Sequence, residues 1–313
     1  MRTLVVTNMY PSEGEPYAGV FVREQVEDLR ALGVEIDVLH FNGRTHWFEY
    51  VRAMGSVRSI VRRNRYDIAH AHYGLTGAVA LAQHRVPVVT TFHGSDTGYI
   101  PWQARVSRVV ARHTTPVFVS KANSLSLRVP GVVVPVGVDT NVFRPMPREE
   151  ARRRLGWDPQ GRYVLFPGAA SRRVKRHDLF QAAFVLAKLE CPELHPILFD
   201  GYERDQAPLV MNAIDCVLMT SDWEGSPVTV KEALACETPV VSVPVGDVDD
   251  VIGGLPGCAV TERDPAKLAA AVVAALGAPR SSVLRERATL YERRSLASRI
   301  VELYEELLVG SHD

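Results

Sequence analysis

Short apolar runs that fail to alternate with polar residues constrain this chain most. "TLVVT" (3–7), "EIDVLHF" (35–41), "DIAHAH" (67–72), "VPVVTTFH" (86–93), "PVFVS" (116–120) and "VVVPVG" (132–137) have strand length, and several are Val-rich. A strand with one wet face alternates; a run without alternation is buried on both faces, as in a parallel sheet. Helical stretches lie between them, including "GVFVREQVEDLRALG" (19–33) and "FEYVRAMGSVRSIVRRN" (48–64). The second places Tyr50, Val51, Met54, Val57, Ile60 and Val61 on one stripe. Strands spaced by helices predict repeated βαβ units. The pattern restarts after a Pro-punctuated connector, "VDTNVFRPMP" (138–147). "YVLFPG" (163–168), "HPILFDG" (195–201), "CVLMTS" (216–221), "PVVSVP" (239–244) and "CAVTE" (258–262) are its strands. The expectation is an α/β fold in two doubly wound halves, 1–143 and 144–294. In two such halves the ligands belong at the C-terminal edges of the sheets, in a cleft.

Composition excludes some classes of function. With 313 residues, 46% hydrophobic and 23% charged, the chain can build a core without disulfide staples. The net charge is zero, which gives no global reason to bind nucleic acid. Residues 1–145 hold 16 Lys/Arg against 11 Asp/Glu, leaving 20 against 25 for the rest. A mildly basic first half suits an anionic substrate or membrane surface, and equally suits random scatter. Cys191, Cys216, Cys236 and Cys258 lack metal-site spacing and predict reduced thiols. "MRTLVVT" runs straight into a strand, so no signal peptide is expected, and no apolar run spans a membrane. A cytoplasmic place is expected. The stretch 47–65 is apolar on one face and basic on the other; it predicts either a helix packed on its sheet with solvated arginines, or peripheral contact with an anionic inner membrane face. No GxGxxG is present, which disfavours a dinucleotide cofactor.

The densest candidate site is "SDWEGSPVTVKEALACETPV" (221–240), where Glu224 and Glu232 lie eight positions apart around a Gly-Ser-Pro turn. Ser226 is a good N-cap and Pro227 a good first helical residue. The helix N-terminus would then offer N–H groups to a phosphate, and carboxylates suit vicinal sugar hydroxyls. A surface loop followed by a helix salt bridge explains the same residues. Arg172 and Lys175 follow strand "YVLFPG" and could balance a diphosphate, or form a basic surface turn with Arg173 and Arg176. Gly19 opens the first helix and permits a close backbone approach. His93 ends a strand and is followed by Gly94 and Asp96; His72 and Tyr73 end another. Each could instead cap its sheet. "DVDD" (247–250) holds a D-x-D, read here as no metal site.

Six segments together resemble one family. "EGSPVTVKE" with "ALACETPVV" looks like the E-x7-E motif of the retaining glycosyltransferases of family 4, which have the GT-B fold. "YPSEGEPYAGVFVREQVEDLRALG", "YDIAHAHYGLTGAVALA" with "VPVVTTFHGSD", "VPVGVDTNVFRP", "VLFPGAASRRVKRHDLFQAA" and "VGDVDDVI" resemble other parts of it in the family's order. The likeness covers nearly the whole chain. It implies two Rossmann-like domains facing a cleft, the first for the acceptor and the second for a nucleotide-sugar donor. It also implies that a last helix, about 295–309, packs back on the first domain.

By that resemblance Glu232 binds the ribose and Glu224 the donor-sugar hydroxyls. Gly225, Ser226, Val228 and Thr229 lie at the sugar or phosphate. Arg172, preferred over Arg173, and Lys175 hold the diphosphate, and Gly19 is on the donor side. His93 is placed near the donor sugar and phosphate, and His72, Tyr73 and Asp96 line the acceptor side. The implied reaction is retaining sugar transfer from a nucleoside-diphosphate sugar to an acceptor hydroxyl, with no metal or other cofactor. UDP is the default, with GDP and ADP open; the acceptor is a glycan, a lipid-linked sugar or a small metabolite. An epimerase- or phosphorylase-like enzyme of the same fold, and a non-catalytic nucleotide-sugar-binding protein, are the alternatives. Three departures stand out, the first being that the family's Arg sits sooner after the strand Gly than Arg172 does. Pro227 replaces a usual Gly and cannot donate, and "YERDQAP" (202–208) replaces a usual βα unit.

Overall fold

The computed structural model describes residues 1–15, 18–43 and 46–310; Pro16 and Tyr17 of the first quoted loop lie outside them. Two compact units are present: Met1–Val136 with the chain from Arg293 onward, and Gly137–Glu292.

In the first unit the strands are β1 (Arg2–Thr7), β2 (Glu35–His40), β3 (Ile68–His72), β4 (Val88–Phe92), β5 (Thr115–Phe118) and β6 (Val132–Val133). The helices are α1 (Val20–Ala31), α2 (Phe48–Arg63), α3 (Gly74–Ala80), α4 (Pro101–His113) and α5 (Lys121–Leu127). The sheet is parallel, in the order β2-β1-β3-β4-β5-β6. β3 and β4 are buried at every position, as central parallel strands are, with His70, His72, Thr90 and Thr91 among the buried residues. Leu4, Val6, Ala69 and Ala71 pack with Val57 and Val61 of α2 and Val79 of α3.

The second unit contains α6 (Arg148–Leu155), β7 (Arg162–Phe166), α7 (His177–Glu190), β8 (Leu194–Leu198), α8 (Ala207–Ala213) and β9 (Cys216–Met219). It continues with α9 (Val228–Ala235), β10 (Val240–Ser242), α10 (Val248–Ile252), β11 (Ala259–Val260), α11 (Pro265–Gly277) and α12 (Ser282–Thr289). Its parallel sheet runs β11-β10-β9-β7-β8. Alternate residues feed two cores. Leu165, Val217 and Met219 meet Met211 and Leu234 on one face. Val164, Phe166 and Leu218 meet Phe180, Leu268 and Val272 on the other. β8 is an edge strand, with His195, Pro196 and Leu198 exposed. The Phe199 N–H bonds the Phe166 carbonyl, so strand alternation turns Pro196 outward, where it offers no N–H to a stray strand.

The seam lies a few residues before the position expected from the sequence. Val138 and Phe143 belong to the second core, and the Val138 N–H bonds the Tyr291 carbonyl. α13 (Arg293–Val309) belongs to the first unit. Its Arg293 reaches Asp28 of α1 at 3.1 Å, and Tyr304 is fully buried. The four cysteines are free.

One buried carboxylate organises the start of the second unit. Asp215, at 1% side-chain exposure, pairs with Arg152 at 2.6 Å and Arg148 at 3.0 Å, and accepts the Tyr163 N–H at 2.7 Å. Removing one partner from such a group strands buried charge. Asp215→Ala is expected to cost about 3–5 kcal/mol, which urea unfolding would register as a lower midpoint. Glu149→Ala, breaking only the exposed pair with Arg153, is expected to cost less than about 1 kcal/mol.

Candidate functional site

Each sheet has one place where the connections leave a strand in opposite directions, and a ligand crevice forms beyond the strand ends there. In the second unit that strand is β7, flanked by β8 and β9. The chain leaves β7 through Gly168 into a tight 3-10 turn, Arg173–Lys175. Lys175 lies over Gly168, where an added Cβ would stand 3.3 Å from its Cε. The loop after β9 is tied to this turn. Thr220 Oγ1 lies 3.0 Å from the carbonyls of Lys175 and Arg176, and the Asp222 N–H donates to the Val174 carbonyl at 2.8 Å. These ties bring Lys175 Nζ to 2.6 Å from Glu224 Oε1, with both side chains mostly covered. Arg176 is spent on Asp178 and Asp222. Arg172 and Arg173 are exposed, and their side chains form no ion pair among the described residues.

The expected N-cap is corrected. α9 starts at Val228 behind Pro227, with no side-chain cap. Ser226 Oγ instead bonds Asp247 Oδ2 at 2.6 Å, and Lys231 Nζ bonds both, at 2.6 Å and 2.7 Å. Charged partners outcompete a neutral cap. Lys231 is fully buried; burial lowers its pKa, and Asp247 and Glu224 oppose that shift. The loop holding Asp247 sits against Gly225 so closely that a Cβ on Gly246, at φ 59°, would lie 2.8 Å from the Gly225 carbonyl. Asp247, the first Asp of the D-x-D, is therefore a structural brace, while its second, Asp249, and the neighbouring Asp250 are exposed. Val228 and Thr229 stay partly open at the start of α9. Glu232, one turn on, is 2% exposed and is paired with Arg204 of the short segment 202–208. Arg204 also lies over the Phe143 ring, 5.1 Å from its centroid.

In the first unit the strand at the switch point is β1, flanked by β2 and β3. A cavity of about 520 Å³ opens beyond it, lined by Asn8 and Met9 after β1, Tyr73 after β3, Asp96 after β4, and Trp47 and Trp102. Gly19, at φ 66°, does make a close backbone approach, but to Met9: a Cβ there would stand 2.2 Å from the Met9 carbonyl oxygen. It starts α1, whose Phe21 packs on His93 with centroids 4.8 Å apart. His93 Nε2 is 3.0 Å from His72 Nδ1. Tyr73 holds φ 78° and ψ 150°, a region nearly reserved for glycine. Its N–H donates to the Thr91 carbonyl at 2.8 Å, which fixes it. Asp96 lines the cavity wall, yet its carboxylate accepts N–H groups from His93, Gly94 and Gly74, at 3.1, 3.0 and 2.9 Å. It staples the two loops. Burial raises its pKa to about 6, against those N–H groups.

Sequence reading missed His70, Tyr304, Arg204 and the two tryptophans. His70 stacks on His72 with centroids 4.6 Å apart, and bonds Tyr304 Oη through Nδ1 at 2.5 Å and Thr91 Oγ1 through Nε2 at 2.7 Å. The i, i+2 spacing in "HAH" puts both rings on one sheet face, a signal that was available.

Comparison with known proteins gives a consistent family. Residues 3–122 match the model of the glycosyl transferase 4-like domain, and residues 185–278 that of the glycosyl transferases group 1. A glycosyltransferase of Bacillus subtilis (strain 168) named for teichuronic acid biosynthesis is 24% identical, over 81% of this chain and 83% of its own. A D-inositol 3-phosphate glycosyltransferase of Thermobispora bispora is 29% identical, over 79% and 72%. Sucrose-phosphate synthase of Thermosynechococcus elongatus shares the fold, with TM-score 0.83 at 16% identity over 99% and 100% of the two chains. The Anabaena protein HepE, solved in complex with UDP, has TM-score 0.67 at 15% identity over 98% and 100%.

The histidine group has a pH signature. Burial lowers His70 and His93 to about 3 and His72 well below 6.5. Below the unfolded value near 6.5 the unfolded chain binds more protons, so these groups stabilise the fold above that pH. Their contribution is lost as pH falls toward the folded values. Asp96 has the opposite sign between 3.8 and about 6. Melting temperature should fall as pH drops from about 6.5 to 4, and in the His70→Gln variant the fall should be shallower.

Proposed function

We propose a reaction for this chain from one premise: it belongs to the glycosyltransferases of family 4, which have the GT-B fold. It transfers a sugar from a nucleoside-diphosphate sugar to an acceptor hydroxyl with retention at the anomeric carbon, and without a catalytic metal. The pairing of Lys175 with Glu224 beside the start of α9 is the observation that supports this most. A cation and a carboxylate held at one point suit a ligand that is anionic at its phosphates and hydroxylated beyond them. Lys175, with Arg172, stabilises the departing diphosphate, which gains charge as the glycosidic bond breaks. Glu224 accepts hydrogen bonds from the donor sugar, and Glu232 from the ribose hydroxyls. Gly225, Val228 and Thr229 border the phosphate. UDP, the nucleotide in the HepE complexes, is the one we assign.

His93, assigned to the donor sugar by the family resemblance, is held by burial as a neutral imidazole, which gives or takes a hydrogen bond without bringing charge. The leaving phosphate then takes the acceptor proton on the same face, which accounts for retention without an enzyme nucleophile. The cavity bordered by Tyr73 and the tryptophans receives the acceptor, a glycan, a lipid-linked sugar or a small metabolite.

Thermal-shift screening of UDP, GDP and ADP should give the largest rise for UDP, about 2.7 kcal/mol of stabilisation at a hundred times Kd. Glu232→Ala should raise donor KM at least tenfold, and Lys175→Ala should lower kcat by about 10²–10³. Unchanged turnover in either would refute the assignment. An inverted anomer in the product, read by NMR, would refute retention.

A further inference from the structure

The short connection between β8 and α8 is built around one side chain. Gly201 turns the chain at φ 86°, and α8 starts at Ala207. Gln206 closes the turn between them. Its side-chain oxygen accepts the Glu203 N–H at 3.0 Å, and its own N–H donates to the Glu203 carbonyl at 3.0 Å. The Ala207 N–H donates to the Arg204 carbonyl at 3.3 Å. The backbone is thus tied on both sides of Arg204. The Arg204 guanidinium lies over the Phe143 ring and pairs with Glu232 of α9. Phe143 is 1% exposed and is itself held. Arg285 of α12 donates to the Phe143 carbonyl at 3.0 Å, to the Thr140 carbonyl at 2.9 Å, and to the carbonyl of Ala235, the last residue of α9, at 2.9 Å. The ring under Arg204 and the helix that carries Glu232 are therefore pinned to one common residue.

This framing decides what Arg204 does to Glu232. A carboxylate offers about four lone-pair sites, and one guanidinium takes at most two of them. A planar fork on Glu232 thus fixes the plane of the carboxylate and still leaves acceptor capacity for a vicinal diol. A carboxylate already held in place loses less rotamer freedom when a ligand arrives. We propose that Arg204 is a positioning residue, holding the Glu232 carboxylate in the orientation that accepts hydrogen bonds from the two ribose hydroxyls of the nucleotide. This role rests on the assignment of the ribose to Glu232 made above. The stacking on Phe143 and the brace from Arg285 favour a guanidinium that stays in place over one that must leave before the ribose enters.

Calorimetric titration of the full chain with UDP and with 2′,3′-dideoxy-UDP, which lacks both hydroxyls, separates an effect on the ribose from an effect on the phosphates or the fold. Arg204→Gln is expected to weaken UDP about tenfold and to leave the dideoxy nucleotide within about twofold of the parent. Parental affinity for the dideoxy nucleotide also shows that the variant is folded at this site. In a Glu232→Ala background, Arg204→Gln should change UDP affinity by less than about twofold, since no carboxylate is left to position. Parental UDP affinity in Arg204→Gln, equal losses for both nucleotides, or additive losses in the double variant overturns the proposal. Tighter UDP binding by Arg204→Gln also overturns it, and makes Arg204 a competitor of the ribose. If Glu232→Ala weakens UDP and Arg204→Gln does not, only the role of Arg204 falls. If Glu232→Ala binds UDP as the parent does, the ribose assignment has failed, and the proposal falls with it.

Discussion

A parallel strand cannot pass its last backbone groups to a hairpin partner. Every loop leaving the C-terminal edge of such a sheet must satisfy its own N–H and C=O groups, or be satisfied by side chains. Both candidate sites here are built from that requirement. Asp96 takes three N–H groups and so fixes His93 beside His72. Thr220 meets two carbonyls and so fixes the turn that carries Lys175. Lys231, Ser226 and Asp247 close a third loop under Glu224. In each case the tie is buried, and the residue it positions stands nearer to solvent.

Magnitudes separate these ties from the other charges. The exposed i,i+4 pairs of α6, Arg153–Glu149 and Arg154–Glu150, lie in water and contribute about 0.3–0.5 kcal/mol each. Lys231 is different: taking an ammonium out of water costs several kcal/mol, offset only because Asp247 and Ser226 meet it at hydrogen-bond distance. A mismatch there would be far more expensive than the pair is stabilising. That asymmetry makes Lys231 a register device for the loop, with Glu232 next to it on the same helix.

Much of this was legible in the sequence. Two parallel sheets follow from Val-rich runs that do not alternate, and the E-x7-E segment, the Arg…Lys turn and "HGSD" all lie at strand ends. Local patterns failed where a distant residue supplied the partner. Ser226 has every local mark of an N-cap, but Asp247, 21 positions on, bonds it more strongly. Gly19 reads as a close-approach glycine from the sequence, which cannot show that the backbone it meets in the fold is that of Met9. Arg204 sits in a segment recognised only as a substitute for something missing, and its pairing with Glu232 needs a fold to be seen. Tyr50 was read on the apolar stripe of α2; its hydroxyl instead meets the Asn8 amide at 2.9 Å, at the cavity.

The two switch points differ in electrostatic character, and that difference divides the proposed labour between them. In the second unit, Arg172, Lys175 and Glu224, with Glu232 buried close by in α9, make a strongly polar group suited to a charged diphosphate and its sugars. In the first, burial keeps His70, His72 and His93 neutral, and tryptophan and tyrosine rings border the cavity. Flat apolar rings with few fixed charges favour the C–H faces of a sugar, and neutral imidazoles can give or take a hydrogen bond with a hydroxyl. A charged imidazolium in that position would add a fixed charge to this otherwise uncharged group of rings. The stacked, buried arrangement of three histidines is what prevents one from forming at neutral pH, and Tyr304 of the last helix, bonded to His70, ties that arrangement to the C-terminal end of the chain.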